Sequence, residues 1–123
     1  MPALDTLTFL DANALNVRLR IAVGHGQPGF TRVRLDGVLI ASSDPEDATT
    51  LAGLDVDLGA PADLDGKSLE TTTVIEDFVA ATNQTSLTWE VDGANPPLNE
   101  SREQLASNGA RVTYSAKIRF KTS

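Results

Sequence analysis

The sequence predicts an all-β domain, an antiparallel sandwich of seven or eight strands with at most one or two helical turns. Three observations carry this expectation. Two long stretches alternate apolar and polar residues with period two, turn-forming residues recur at short intervals, and no segment sustains the 3.6-residue apolar spacing of a long helix.

The two clearest strands lie near the ends of the chain. From Leu15 to Val23 the residues Leu15, Val17, Leu19, Ile21 and Val23 alternate with Asn16, Arg18, Arg20 and Ala22, so one face is apolar and the other polar. From Arg111 to Lys121 the even positions Val112, Tyr114, Ala116, Ile118 and Phe120 form an apolar face. Thr31 to Leu35 and Val38 to Ala41 flank Asp36-Gly37, a dipeptide suited to the positive φ angles of a tight hairpin. A single bent strand is the competing reading. Leu51 to Leu58, Lys67 to Phe78 and Thr85 to Val91 complete the β-prone set, and Leu4 to Leu10 is expected at a sheet edge. Turn signals fall at Gly24 to Gly29, Asp44-Pro45, Gly59 to Gly66, Thr82-Asn83 and Asp92 to Pro97.

Helix is expected in two short places. Asp44-Pro45-Glu46-Asp47 supplies a cap, a proline for the first turn and an acidic start. Ser101 and Gln104 have capping-box spacing, with Asn108-Gly109 as a stop.

Many short strands with one polar face imply two antiparallel sheets packed face to face, of the immunoglobulin-like or jelly-roll-like kind, or a barrel. The paired cysteines around a tryptophan that mark immunoglobulin domains are absent, because the chain has no cysteine. That absence also excludes disulfides, thiolate metal sites and a cysteine nucleophile. At 123 residues, 41% of them hydrophobic, the chain is sized for one domain spanning 1–123. No run approaches a membrane span, and the N-terminus shows no basic region followed by an apolar one. The expected location is cytoplasmic, or exported without a cleaved signal peptide.

The formal charge of -7 opposes general affinity for nucleic acid or anionic membrane. The charges are unevenly placed, however. Arg18, Arg20, Arg32, Arg34, Arg111, Lys117, Arg119 and Lys121, eight of the ten basic residues, occupy the polar faces of three predicted strands. If those strands are neighbours, they make a basic sheet face able to bind a polyanion, an acidic protein surface or the acidic loops of another copy. The competing reading is ordinary cross-strand pairing with acids such as Glu90 and Asp92.

Acids concentrate in the middle of the chain. Asp44, Glu46, Asp47, Asp63 and Asp65 lie in loops that could supply the six to eight oxygens calcium needs, and Asp55 and Asp57 share one strand face nearby. Asp63-Leu64-Asp65-Gly66 is only part of a calcium loop, with Pro61 where a further Asp is required, and solvated acids are the competing reading.

Catalytic candidates are few. His25, the only histidine, lies in Gly24-His25-Gly26-Gln27-Pro28-Gly29, whose spacing matches a dinucleotide fingerprint but precedes a strand pattern where the motif needs a helix. Trp89 shares the apolar phase of Leu87 and Val91, so it is expected in the core rather than on a sugar-stacking surface. The expected function is therefore a non-enzymatic binding or assembly module that recognises a protein partner or forms a homo-oligomer through sheet faces and edges. A calcium-dependent, lectin-like carbohydrate module is the second reading, and a small hydrolase the third.

Overall fold

The alternation that predicts the strands also sorts their side chains into buried and exposed sets. In a computed structural model, which describes residues 3–24, 29–42, 54–76, 84–105 and 109–122, nine strands form two sheets. The strands are β1 (Ala3–Leu10), β2 (Val17–Val23), β3 (Gly29–Leu35), β4 (Val38–Ser42) and β5 (Leu54–Gly59). They continue as β6 (Ser68–Glu76), β7 (Gln84–Asp92), β8 (Leu98–Leu105) and β9 (Arg111–Thr122). One sheet has the order β1-β9-β6-β3-β4 and the other β5-β2-β7-β8. The result is the expected all-β sandwich.

Asp36-Gly37 does form a hairpin, with φ of 48° and 83°, and Leu35 pairs with Val38 across it. The bent-strand alternative is excluded. Three expectations need correction. β1 runs parallel to β9, with Leu4 opposite Ala116 and Leu10 opposite Thr122. A parallel pair needs a long connection, and the first and last strands of the domain have the whole domain between them.

The second correction is β8, where capping-box spacing predicts a helical turn from Ser101. Its residues pair with β7 from Gln84↔Leu105 to Val91↔Leu98, and the hydroxyls of Thr88 and Ser101 lie 2.8 Å apart across the ladder. Tertiary pairing overrides a weak local preference. β8 also raises the strand count above the expected seven or eight. The third is a four-residue helix, α1 (Pro61–Leu64), inside the predicted Gly59 to Gly66 turn. Pro61 takes an early position, where its missing N–H costs nothing, and Leu64 is buried. The possible helix at Asp44 to Asp47 lies outside the described residues.

The core forms where the inner faces meet. β2 contributes Val17, Leu19 and Ile21, β7 Leu87, Trp89 and Val91, and β9 Val112, Tyr114, Ala116, Ile118 and Phe120. Its centre is partly hydroxylic, because Thr31, Thr71, Thr73 and Thr85 are also buried. Each of these hydroxyls has a hydrogen-bond partner, as buried polar groups must. The Trp89 indole N–H donates to Thr71 Oγ1 at 3.1 Å, and the Thr31 and Thr73 hydroxyls lie 2.8 Å apart.

Thr85 donates its proton to the Gln104 carbonyl at 2.7 Å. The Tyr114 hydroxyl, 2.7 Å away, must therefore donate to Thr85 Oγ1. Burial pushes the Tyr114 phenol above its ordinary value of 10.0, and the Glu103 charge adds to the rise while the two hydrogen-bonding partners oppose it. The fold thus favours the neutral phenol. Its contribution to stability is complete below the ordinary tyrosine range and is lost as pH rises through the folded-state value. Tyr114→Phe should cost about 1 kcal/mol at neutral pH and should flatten the alkaline fall in stability. Urea unfolding between neutral and strongly alkaline pH checks both effects.

Candidate functional site

Strand register decides which charged side chains can act together. On the outer face of the five-stranded sheet, one row across the strands runs Arg34, Glu70, Lys117 and Asp5. Arg32 lies in the next row beside Thr72, followed by Ser115 and Ala3. Arg111, Arg119 and Lys121 project from β9 on the same face. Six of the eight predicted basic residues therefore share one surface, because β6 lies between β3 and β9 and brings both within one sheet.

Arg18 and Arg20 do not join them. Both lie on β2, in the opposite sheet, so the three basic strands are not neighbours. There β5 and β7 flank them with carboxylates. Arg18 pairs with Asp55, while Arg20 reaches Asp55 at 3.6 Å and Asp92 at 3.3 Å. For these two arginines the cross-strand reading is the correct one, and Asp55 and Asp57 are not merely solvated: Asp57 also accepts from Asn16 Nδ2 at 3.1 Å. All four members of this network, Arg18, Arg20, Asp55 and Asp92, are about half exposed, so each pair is screened and weak. Asp55→Asn is expected to lower stability by no more than about 1 kcal/mol, as read by denaturant titration at low and high salt.

The two outer faces consequently differ in sign. The five-stranded face sets its six basic residues against Asp5, Glu70 and Glu76. The four-stranded face sets Arg18 and Arg20 against Asp55, Asp57, Glu90, Asp92 and Glu103. Internal pairing does not cancel the difference. On the basic face Arg111 pairs with Glu76 at 2.6 Å and Arg119 with Asp5 at 3.1 Å. Arg32, Arg34, Lys117 and Lys121 make no ion pair with any described residue, and neither do Asp57, Glu90 and Glu103 on the acidic face.

The basic face also carries apolar side chains that the sequence reading did not single out. Leu7 and Phe9 are about half exposed on β1 beside Arg119 and Lys121, and Leu39 is exposed on β4 beside Arg34. Phe30 lies under the Arg32 guanidinium, 5.1 Å from ring centre to carbon, a cation–π arrangement. Between them the small side chains of Ala3, Thr72 and Ser115 leave a shallow depression of about 390 Å³, bordered by Asp5, Glu70 and Lys117. Shallow and open, it suits a contact surface more than an enclosed small-molecule site.

The sheet edges differ as well. β5 carries Asp55 and Asp57, β8 carries Glu100, Arg102 and Glu103, and β1 carries Asp5. Such charges discourage edge pairing. β4 has none: Val38, Leu39 and Ile40 are all exposed, with a bulge at Ile40 as the main irregularity of its pairing.

The acidic loop candidates divide differently. Asp44, Glu46 and Asp47 lie outside the described residues, as does His25. Asp63 is exposed on α1, and Asp65 Oδ1 accepts the Thr122 backbone N–H at 2.8 Å, fastening the α1 turn to the end of β9. Among the described residues no three acids or histidines converge on a metal position. Trp89 is fully buried, as expected from its phase. Among the described residues no helix is long and apolar enough to cross a membrane.

The fold and this surface define a two-sheet β-sandwich whose outer faces are oppositely charged. Comparison of the chain with models of known families, with curated proteins and with solved structures finds no match.

Proposed function

We propose that this domain is a non-enzymatic protein-binding and assembly module whose working surface is the outer face of the five-stranded sheet. The observation that supports the reading is the pairing of unneutralised cations with exposed apolar groups on one face. Arg32 lies over Phe30, Arg34 beside Leu39 and Lys121 beside Phe9, with Lys117 on the same face between Asp5 and Glu70. Arginine and aromatic residues are the types enriched where proteins bind one another. The partner chemistry this surface suits is a protein face rich in carboxylates, with apolar side chains to meet Phe9 and Leu39.

The calcium-dependent carbohydrate reading lacks comparable support, since one of its two described acids already serves the Thr122 backbone. The test compares the chain with an Arg32→Glu/Lys121→Glu variant as bait for proteins of its source. A partner retained only by the unaltered chain would then be purified and titrated. Binding should weaken steeply with salt and fall about tenfold or more in the variant. If both baits retain the same proteins equally and neither associates with itself, the reading fails.

A further inference from the structure

The reading above leaves open which carboxylate-rich surface meets the basic face, and this molecule carries such a surface itself. We infer that the partner is a second copy of this chain, engaged head to tail. The outer face of one copy's five-stranded sheet lies on the four-stranded face of the next. The inference rests on the proposed binding role of the basic face and adds the identity of its occupant.

Charge complementarity is its first support. Four of the five cations without a described ion-pair partner, Arg32, Arg34, Lys117 and Lys121, lie on one outer face, and Asp57, Glu90 and Glu103 lie on the other. Copies brought together by like faces would oppose charges of one sign. Copies stacked by unlike faces oppose opposite signs, which both steers the encounter and fixes its orientation.

Area is the second. With strands about 4.8 Å apart and about 3.3 Å per residue, four strands of about eight residues present about 500 Å², and five present slightly more. Full overlap buries about 1,000 Å² over both partners, the lower limit for a specific interface. The contact is therefore weak, reversible and dependent on concentration. Because the two surfaces differ, the contact is heterologous: it continues from copy to copy into a stack or closes into a ring, and it does not stop at a two-fold dimer.

Charge exchange tests the arrangement. The basic-face variant is Arg32→Glu/Lys121→Glu, whose positions neighbour no carboxylate across the ladder. The acidic-face variant is Glu90→Lys/Glu103→Lys. Sedimentation velocity over a range of concentrations at low salt should show the unaltered chain growing beyond dimer and returning to monomer at high salt. Each variant alone should assemble about tenfold or more weakly, and an equimolar mixture of the two should regain assembly, because each supplies the face the other now lacks. Unaltered circular dichroism and melting establish that the variants fold. Should either charge reversal disturb folding, Arg32→Gln/Lys121→Gln and Glu90→Gln/Glu103→Gln serve instead, with partial loss in each expected.

A chain that stays monomeric at every concentration and salt overturns the inference. So does assembly indifferent to both variants, which would place the contact elsewhere, with the β4 edge at Val38 to Ile40 first in line. Assembly lost only in the basic-face variant and not regained in the mixture also overturns it. A monomeric chain that still binds a foreign acidic protein through Arg32 and Lys121 removes the second copy but keeps the binding role. Retention by heparin alone removes both.

Discussion

Trp89→Ala is expected to destabilise the domain by about 3–5 kcal/mol, a large part of the roughly 5–15 kcal/mol that holds a domain of this kind together. Trp89 is fully buried on β7 between β2 and β8, packs edge-on against Tyr114 with ring centres 6.4 Å apart, and bonds Thr71 of the opposite sheet. It is one of the few side chains that join the two sheets by packing and hydrogen bonding at once. Truncation opens the largest possible gap at the centre of the core and leaves the Thr71 hydroxyl without its donor.

Two further variants separate those contributions. Trp89→Phe keeps most of the apolar volume and removes the N–H, while Thr71→Val keeps the indole and leaves its N–H buried without an acceptor, at a cost of about 1–3 kcal/mol. Urea unfolding followed by circular dichroism reads all three, since two of them remove the only tryptophan. A loss below about 1 kcal/mol for Trp89→Ala would mean that the two sheets are not joined through this side chain as described.

How far the sequence reveals this molecule depends on whether a feature is local. The strands read at 15–23 and 111–121 form at 17–23 and 111–122, with Leu15 exposed ahead of β2. These strands, the Asp36-Gly37 hairpin and the burial of Trp89 were legible because period-two alternation and turn chemistry report directly on face and direction. Sheet membership is not local. The polar phase of Arg18 and Arg20 resembles that of Arg32 and Arg34, yet β2 and β3 lie in different sheets, so one supposed basic face became two faces of opposite sign. β1 hid its part for another reason. Leu4 and Leu10 face the core while Leu7 and Phe9 face outward, so both phases of the strand contain apolar residues and neither identifies the contact surface. β8 was missed because its polar residues suit a helical turn as well as an edge strand. Its inward-phase Glu100 and Arg102, 3.2 Å apart, have the placement of charges that guard an edge.

Gly93→Ala should cost about 2–4 kcal/mol, from two additive causes at one position. Gly93 follows β7 with φ of 89°, a conformation that a side chain disfavours, and an added Cβ would lie 2.8 Å from the Asn16 carbonyl oxygen and 3.2 Å from the Val17 Cα. Both neighbours are backbone at the start of β2 and cannot swing aside. The same turn fastens β1: Asp11 N–H donates to the Gly93 carbonyl at 2.8 Å, and Asn95 N–H donates to the Phe9 carbonyl at 2.9 Å. Gly37→Ala and Gly109→Ala are the matched controls, since both glycines have positive φ but nothing within 4 Å of an added Cβ. They should lose only the conformational term, about 1–2 kcal/mol. If Gly93→Ala loses no more than they do, the close approach of the β7–β8 turn to β2 is not the constraint it is argued to be. A larger loss should extend to the basic face, because a shifted turn releases the end of β1 that presents Leu7 and Phe9. In the charge-exchange experiment a folded Gly93→Ala chain should therefore assemble less well although no charge has been altered. That outcome would separate the apolar share of the contact from its electrostatic share, which the charge variants alone do not resolve.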